Sequence, residues 1–449
     1  MSSTRRLDSR PPHFDSRPPH LDSRPPHLDS RPPWRVETSA FAAIIVGGGA
    51  AGLVAAAFST GRALVLERLD RPGAKLLATG GGRCNVTHDT DAADIVAAFG
   101  KRARFMTDAL RRWPPADIRR FLADHGVPTV VESDGCVFPA SGRAADVRDA
   151  LVAAARRAGA EIRCGVKVAR ILLDEAGTAV RGVETACGEV LTAPRIVLAA
   201  GGRAWPSLGS DGSGLALARE AGLSLVPPTP ALVPLVAAES WMSDLAGLSC
   251  PDAAVSIEPR GRAVRGPLLF THRGLSGPAV LALSGDVAHA LAEDSPTRLR
   301  IAFRADWTDA DWLAAFSAWR TAHGARLVRN LLAEALPKAL AHRLCERAEI
   351  GEDVVAARLD RAAALALAEF CAACPVAIAG TEGWDRAMVT RGGVALSELD
   401  PRTLESRRVA GLRVAGELVD LDAPCGGYNL TWAFASGRLA IEAQPPFNA

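Results

Sequence analysis

The chain has 449 residues, of which 48% are apolar and 23% are charged, and this composition is typical of a globular protein. Its length exceeds one ordinary core, so we expect two domains or one domain interrupted by another. The 52 basic and 50 acidic side chains leave a formal net charge of +2, which excludes a strong field for nucleic acid or an anionic membrane.

The first residues repeat a seven-residue unit, DSRPPHF and then DSRPPHL twice, followed by a partial copy. Paired prolines in every unit exclude a helix and favour extended, solvated chain. An aspartate accompanies each arginine, so the segment lacks the excess charge of a basic tail. We predict a disordered extension over residues 1–38 with no catalytic role.

The sequence pattern changes at Ala42, where it predicts a strand, a glycine-rich turn, a helix and a second strand in succession. This spacing predicts a βαβ unit in a parallel sheet. The turn, GGGAAG over residues 47–52, fits G-x-G-x-x-G: Gly47 permits a tight turn, Gly49 a close approach to pyrophosphate, and Gly52 close packing of helix on strand. Glu67 ends the second strand, where a carboxylate accepts hydrogen bonds from ribose. The unit therefore predicts FAD or NAD rather than NADP.

A second glycine run lies in KLLATGGGRCNVTH, residues 75–88. A pyrophosphate needs one glycine loop, whereas a flavin ring must also lie flat against backbone, which Gly80 to Gly82 allow. Asn85 both donates and accepts, which suits the pyrimidine edge of a flavin, and Arg83 adds polar groups. For Cys84, packing beside the cofactor is favoured over redox chemistry because no partner cysteine is near in sequence. This run favours FAD over NAD.

Further along, residues 194–202 and 412–420 predict two more buried strands of the same form, each leading into glycine. Between them, AAVSIEP, GPLLFTH and TRLRIAF predict strands of an antiparallel barrel or sheet, and three later segments have helical periodicity. We therefore predict an α/β fold in which a Rossmann-like, parallel-sheet domain is interrupted by an insert. The expected ranges are 39–228 for the first part, 229–392 for the insert with a helical subdomain over about 306–372, and 393–449 for the C-terminal part.

Two features of the insert carry chemically active side chains. His272, in LLFTHRGLSGP, is the candidate proton donor because histidine titrates near physiological pH, although a structural role at a strand end stays open. Arg273 and Ser276 are weaker candidates for substrate anchors. Cys371-Ala-Ala-Cys374 has redox or metal spacing, but no second pair or nearby histidine completes a zinc site. We expect inert packing of these thiols on one helix face, and no bound metal.

The C-terminal segment, residues 411–440, predicts a strand, a loop, a second Gly-Gly turn and a helix. Glu417 or Asp420 could accept hydrogen bonds from ribityl hydroxyls. The turn at Gly426 and Gly427 would aim N–H groups at the flavin N1/O2 region, where reduction builds negative charge. Tyr428, the only tyrosine in the chain, is a candidate for catalytic or cofactor contact, with packing as the alternative.

These motifs resemble those of the bacterial YhiN/BaiN-type flavoproteins, a family of aminoacetone-oxidase-like, NAD(P)/FAD-dependent oxidoreductases. The matching stretches include IIVGGGAAGL, KLLATGGGRCNVTH and GELVDLDAPCGGYNLTWAFASG, and they span about residues 42–440. The resemblance implies a glutathione-reductase-type, two-dinucleotide-binding FAD fold with an inserted β-barrel and helical domain. His88 departs from it, since relatives more often carry asparagine there, and so does the proline-rich extension.

The resemblance also implies a set of cofactor contacts. The first glycine loop and Glu67 would hold the ADP half, Val168 would lend backbone groups to the adenine, residues 83–85 would line the flavin, and the C-terminal turn would hold its ribityl chain and ring. Together with the motifs, it gives these candidate cofactor-binding residues: Gly47, Gly49, Ala50, Ala51, Gly52, Glu67, Arg68, Lys75, Gly82, Arg83, Cys84, Asn85, Val168, Ala200, Gly201, Gly202, Gly416, Glu417, Asp420, Gly426, Gly427, Tyr428, Asn429 and Leu430.

The predicted function is an FAD-dependent oxidoreductase that acts on a small organic substrate, such as an enone or an amine, with flavin N5 as hydride donor or acceptor. GSDGSG, residues 209–214, lacks the spacing of a second dinucleotide loop, so the electron partner is a transiently bound NAD(P)H or oxygen. The alternative is a flavin-dependent nucleic-acid modifier or a redox-sensing interaction protein, which needs a basic face or a partner surface. Nine scattered cysteines without a signal peptide indicate a reducing cytoplasm, and we expect neither a nucleic-acid nor a membrane partner.

Overall fold

The computed structural model describes residues 41–259, 261 and 263–442, so the predicted tail over residues 1–38 lies outside the described residues. Within the described residues the strands are, in chain order, β1 Ala43–Val46, β2 Ala63–Leu66, β3 Thr87–His88, β4 Thr129–Val131, β5 Cys136–Pro139, β6 Glu161–Arg163, β7 Val168–Leu173, β8 Val180–Thr185, β9 Val190–Thr192, β10 Ile196–Leu198, β11 Leu225–Ala231, β12 Leu235–Ala237, β13 Ser249–Ile257, β14 Val264–Thr271, β15 Gly274–Ser276, β16 Thr297–Ala302, β17 Cys374–Thr381, β18 Val389–Val394 and β19 Leu412–Val414.

Helices alternate with these strands and also form a cluster of their own near the barrel. In the same described part of the chain they are α1 Ala50–Ala57, α2 Ala74–Ala78, α3 Ala92–Ala98, α4 Thr107–Arg112, α5 Pro115–Asp124, α6 Ala144–Arg157, α7 Ser213–Glu220, α8 Pro278–Ala292, α9 Asp309–Ala322, α10 Val328–Leu332, α11 Lys338–Arg347, α12 Arg361–Ala373 and α13 Tyr428–Ile441. No helix among the described residues is both long enough and apolar enough to cross a membrane.

A five-stranded parallel sheet forms the Rossmann part, in the order β19-β10-β1-β2-β6. All four residues of β1 are buried, as expected for a strand whose two faces are both covered. β19 comes from the C-terminal end of the chain and pairs with β10, so this sheet is assembled from segments that are distant in sequence. The predicted α/β fold class, with its discontinuous Rossmann-like domain, is confirmed.

The segment between β11 and β18 contains a closed antiparallel barrel, in the order β12-β15-β14-β13-β16-β17. In β16, Leu299 and Ile301 are buried while Arg298 and Arg300 are exposed, which is the alternation of a strand with one face on a core. Helices α9 to α12 contribute Trp312, among other side chains, to the same core. The predicted barrel with helices is therefore present.

The chain leaves the sheet through β11 and returns through β18, and these two strands pair antiparallel. The pairing runs from Leu225 with Val394 to Ala231 with Val389. The predicted insert boundaries, at residues 229 and 392, fall inside these two strands. The exact division into domains therefore remains a prediction.

The end of the helical segment differs from the sequence expectation. The last of the three segments with helical periodicity, VVAARLDRAAALALAEFCAAC over residues 354–374, predicts a helix from Val354 onwards. Instead, α12 begins after Asp360, whose side chain accepts a hydrogen bond from the Ala363 N–H at 2.8 Å and caps the helix. Cys374 begins β17 instead of sharing a helix face with Cys371, because the following Pro375 disfavours helical backbone at the residue before it. Burial raises the pKa of Cys374 to about 12, so its thiol stays protonated at physiological pH.

Candidate cofactor site

A cavity of about 560 Å³ lies at the carboxyl ends of β1, β2, β10 and β19. From β1 the chain adds β2 and β6 on one side of the sheet and later adds β10 and β19 on the other side, so the strand order switches between β1 and β10. In open α/β sheets ligands bind at such a switch point. Its wall is contributed by selected residues within the segments 46–51, 66–85, 166–168, 199–217, 388–389 and 416–433. Three glycine turns that are far apart in the sequence therefore face a common space.

The glycines of the first turn serve two different purposes. Gly47 has φ +106°, and a Cβ there would lie 2.6 Å from the Ala199 carbonyl oxygen. A Cβ at Gly52 would overlap the carbonyl oxygen of Gly47, so Gly52 is required for packing and does not itself line the cavity. Gly49 is the N-cap of α1, and a Cβ there would meet no protein atom within 4 Å. The empty space beside Gly49 fits a diphosphate at a helix N-terminus.

Glu67 follows β2 and is 7% exposed in the cavity wall. Its Oε2 accepts a hydrogen bond from the Gly48 N–H at 2.8 Å, and its Oε1 accepts one from the Leu69 N–H at 2.9 Å. A carboxylate has about four acceptor positions, so Glu67 can still accept from two ribose hydroxyls. The next residue, Arg68, pairs with Asp211 and so joins β2 to the loop before α7.

The second glycine run is required by the backbone of its own turn. Gly80, Gly81 and Gly82 have φ values of +57°, +66° and +88°, a left-handed conformation that glycine adopts without strain. Gly80 and Gly81 line the cavity, whereas Gly82 does not. The space that the flavin was expected to use is thus bounded by the first two glycines of the run.

Of the three residues that follow this run, only Asn85 lines the cavity. Its Oδ1 accepts a hydrogen bond from the Val137 N–H at 3.2 Å, which leaves the side-chain N–H groups as donors for a ligand. Arg83 instead pairs with Glu132, and its guanidinium lies 4.0 Å from the centroid of the Phe138 ring.

Cys84 is fully buried in a core cluster with Leu53, Leu76 and Trp113. Burial raises the pKa of its thiol to about 12, so the reactive thiolate is scarce at neutral pH. This placement supports the packing interpretation over redox chemistry at Cys84.

The third turn joins β19 to α13. Glu417 lines the cavity, pairs with Lys75 at 2.6 Å and accepts a hydrogen bond from the Thr390 N–H at 2.9 Å. Gly427 has φ +87° and precedes the first turn of α13, whose free N–H groups face the cavity end. A Cβ at Gly427 would overlap the Thr87 carbonyl oxygen, so the turn and the segment after Asn85 are in direct contact.

Asn429 lines the cavity, but its side chain is used within the protein. Its Oδ1 accepts from the Ala423 N–H at 3.0 Å, and its Nδ2 donates to the Ala423 carbonyl at 2.8 Å. Asn429 therefore fixes the loop before the glycine turn, and a contact with a ligand would come from its backbone.

The structure brings most of the predicted cofactor residues together. Those in the cavity wall are Gly47, Gly49, Ala50, Ala51, Glu67, Arg68, Lys75, Asn85, Val168, Ala200, Gly201, Gly416, Glu417, Gly426, Gly427, Asn429 and Leu430. Their individual contacts with a cofactor remain predictions.

Other predicted residues lie outside the cavity wall for identifiable reasons. Besides Gly52, Gly82, Arg83 and Cys84, which are described above, they are Gly202, Asp420, Tyr428 and His272. A Cβ at Gly202 would overlap the Thr390 hydroxyl, Asp420 is buried against Arg102, and Tyr428 stacks on the His88 ring. His272 is exposed in the turn between β14 and β15, so its placement gives no support to a role as proton donor.

Sequence reasoning missed the later part of the loop between β10 and α7. This part contributes Trp205, Leu208, Gly209 and Ser210 to the wall, and Ser213 at the start of α7 follows them. A signal for it is present, because GSDGSG is a glycine-rich stretch that follows a strand. The stretch lacks the spacing of a second dinucleotide loop, but this does not prevent it from lining the site of the first.

The parallel sheet, the glycine loop at its switch point and the cavity shared by three glycine turns are the features of a Rossmann-type dinucleotide-binding protein. Residues 41–443 match the family described as HI0933-like protein Rossmann domain, and the chain belongs to this family. The resemblance to YhiN/BaiN-type flavoproteins is thereby confirmed.

Two curated relatives match almost their full length. The chain is 37% identical to 3-dehydro-bile acid delta(4,6)-reductase of Clostridium scindens over 408 residues, which cover 89% of this chain and 98% of the relative. It is 33% identical to ribosomal RNA dihydrouridine synthase of Escherichia coli over 404 residues, which cover 88% and 96%. Among solved structures, 3-ketosteroid delta1-dehydrogenase from Sterolibacterium denitrificans is 14% identical, covers 89% of this chain and 98% of that chain, and has a TM-score of 0.48.

Proposed function

We propose that this flavoprotein holds FAD and reduces a carbon–carbon double bond conjugated to a carbonyl group in a small organic substrate, with NAD(P)H as the reductant. One observation supports the proposal most: three glycine turns, at Gly49, at Gly80 and Gly81, and at Gly427, face one cavity of about 560 Å³. A mononucleotide would need only the first of these turns, whereas the length of FAD would use all three.

The residues of the wall suit the parts of FAD in order. Glu67 has acceptor positions left for ribose, and the N-terminus of α1 at Gly49 has room for the diphosphate. Lys75 and Glu417 form an ion pair between these groups and the C-terminal turn, where they can hydrogen bond to ribityl hydroxyls. The N–H groups of Asn85 and of the first turn of α13 can hold the carbonyl edge of the flavin ring. When bound, FAD supplies a ring nitrogen, N5, that accepts and donates hydride.

The reaction class follows from what the names of the two relatives share. A delta(4,6)-reductase and a dihydrouridine synthase both add two hydrogens across a carbon–carbon double bond, and in uridine that bond is conjugated to a ring carbonyl. A hydride added to one carbon and a proton added to the other complete the reduction, with NAD(P)H oxidised to NAD(P)⁺. The small-molecule substrate is preferred for this chain because its formal net charge of +2 gives little attraction for nucleic acid.

The test is a two-stage anaerobic experiment on protein reconstituted with FAD. NADH and NADPH are first added separately, and bleaching of the visible flavin band is followed by stopped flow. An α,β-unsaturated ketone is then added to the reduced enzyme, with the corresponding saturated ketone as the matched control. We expect reoxidation with the unsaturated ketone alone and recovery of its saturated product.

Two results would contradict the proposal. The first is that neither nicotinamide reduces the protein-bound flavin. The second is that the enone leaves the reduced flavin unchanged while uridine-containing ribosomal RNA reoxidises it, which would establish the nucleic-acid alternative instead.

A further inference from the structure

Two aromatic rings connect the second and third glycine turns without lining the cavity. His88 ends β3, three positions after Asn85, and Tyr428 is the first residue of α13. Their ring centroids lie 5.0 Å apart and their planes differ by 21°, so the rings are stacked.

His88 also holds the backbone of the C-terminal turn. Its Nδ1 lies 3.1 Å from the carbonyl oxygen of Gly426. A carbonyl oxygen can only accept, so Nδ1 carries the proton and donates it in this bond. Gly426 and Gly427 have φ values of +134° and +87°, and glycines have more conformational freedom than other residues. The His88 bond therefore fixes a carbonyl that the glycine backbone alone would leave free to rotate.

The surroundings allow this arrangement little freedom. A Cβ at Gly135 would lie 2.5 Å from His88 Nε2, so the imidazole ring is confined on that edge as well. Beside it, the hydroxyl oxygens of Thr87 and Thr431 are 2.7 Å apart and both side chains are fully buried. Strand β3 and the first turn of α13 are thus joined by two neighbouring polar contacts and one ring stack.

We propose that His88 and Tyr428 are positioning residues: together they set the Gly426–Gly427 turn, and with it the first N–H groups of α13, at a fixed place relative to Asn85. This inference rests on the proposed function, because both turns would contact the flavin end of the same cofactor. Neither His88 nor Tyr428 lines the cavity, so we assign both a positioning role. Their effect passes through the backbone of the turn.

The chain contains a matched control for this pair. His125, the C-cap residue that follows α5, has its ring centroid 4.2 Å from that of Phe121, with planes at 31°. Its Nδ1 is 2.7 Å from the Phe121 carbonyl oxygen. His125 therefore makes the same two kinds of contact as His88, but neither His125 nor Phe121 lines the cavity.

The experiment compares His88→Ala, Tyr428→Leu, Tyr428→Phe and His125→Ala with the unsubstituted protein. FAD affinity is measured by titration of apoprotein, and the ring environment by visible circular dichroism and the reduction potential of the bound flavin. We expect His88→Ala and Tyr428→Leu to weaken FAD binding by about tenfold to a hundredfold, since each loses a ring stack and the first also loses a hydrogen bond. Both should change the visible dichroism. Tyr428→Phe keeps the stack and should match the unsubstituted protein, as should His125→Ala.

Thermal unfolding of each apoprotein separates positioning from general damage. If His88→Ala and Tyr428→Leu bind FAD with unchanged affinity and dichroism, or if His125→Ala weakens FAD binding equally, the positioning role is wrong. If His88→Ala fails to fold, the comparison of FAD affinity and visible dichroism between Tyr428→Leu and Tyr428→Phe decides the test alone. If the unsubstituted protein itself binds no FAD, the proposed function fails first and this inference falls with it.

Discussion

Gly49 and Gly52 belong to the same motif but are constrained by different neighbours. A Cβ at Gly52 would overlap the Gly47 carbonyl oxygen, so the strand–helix packing itself requires glycine there. Gly49 has an ordinary φ of −79° and open space around it, so the protein alone would tolerate a side chain at this position. Under the proposed function it is the bound diphosphate that would exclude a side chain at Gly49, so a substitution there can separate effects on binding from effects on folding.

We expect Gly49→Asn to leave the apoprotein folded and to weaken FAD binding. Asparagine is a good N-cap, so the free energy of unfolding should change by no more than about 0.5 kcal/mol. Its side chain would occupy the diphosphate position, and FAD affinity should fall by at least about tenfold. Urea unfolding of the apoprotein and FAD titration measure the two effects.

Gly126→Asn is the control for this substitution. Gly126 has φ +81°, a conformation that asparagine tolerates, and a Cβ there would meet no atom within 4 Å. The residue lies outside the cavity wall, so this variant should bind FAD like the unsubstituted protein. Equal FAD affinity in Gly49→Asn would show that no diphosphate lies beside α1.

The loop that precedes α13 is held in place by charged side chains from three other segments. Arg391, in β18, donates to Asp422 at 3.1 Å and also pairs with Asp286 in α8, while Arg102 pairs with Asp420. Desolvation raises the pKa of Asp422 even though Arg391 lowers it. This ion-pair network therefore fixes the position of a cavity-lining loop. The free energy of desolvating Asp420 and Asp422 opposes that stabilisation.

Removal of Arg391 should destabilise the protein in a pH-dependent way. Arg391→Met leaves Asp422 buried and unpaired, which should cost about 3–5 kcal/mol at pH 7.5. The pKa of Asp422 would then lie further above its value in the unfolded chain, so on acidification the folded state takes up a proton that the unfolded state does not. The loss of stability should therefore shrink as the pH falls. Urea unfolding at two pH values, one neutral and one mildly acidic, measures this change.

The double variant Arg391→Met with Asp422→Leu tests the cause. It removes the unpaired carboxylate, so it should recover part of the lost stability and remove the pH dependence. A cost for Arg391→Met that is the same at both pH values would contradict this explanation.

The elements around the glycine turns could be predicted because they obey local rules. The buried strands β1 and β2 are short apolar runs, and the loop between β1 and α1 has the G-x-G-x-x-G spacing of a dinucleotide-binding loop between a strand and a helix. The sequence could not decide whether Glu417 or Asp420 is the candidate acceptor for ribityl hydroxyls. The two acids are three residues apart and differ only in their tertiary contacts, since Glu417 pairs with Lys75 and Asp420 pairs with Arg102. The environment of Tyr428 depends in the same way on His88, which is distant in sequence.

Taken as a whole, the folded chain separates the cofactor cavity from the barrel. The sheet and the barrel have distinct hydrophobic cores. No described residue between 218 and 387 lines the cavity, and the chain that returns from the barrel reaches it only at Met388 and Val389. Under the proposed function the Rossmann part would therefore supply the contacts to the cofactor, and the chain that returns from the barrel would approach it near the start of β18.

Hydrogen–deuterium exchange of the apoprotein with and without saturating FAD tests the central claim most directly, because it reports on all three glycine turns in one measurement. We predict slower exchange in the presence of FAD at residues 47–53, 79–86 and 416–433 together, with β13 to β16 of the barrel unchanged. Protection at only one of these turns, or protection that is confined to the barrel, would contradict the account.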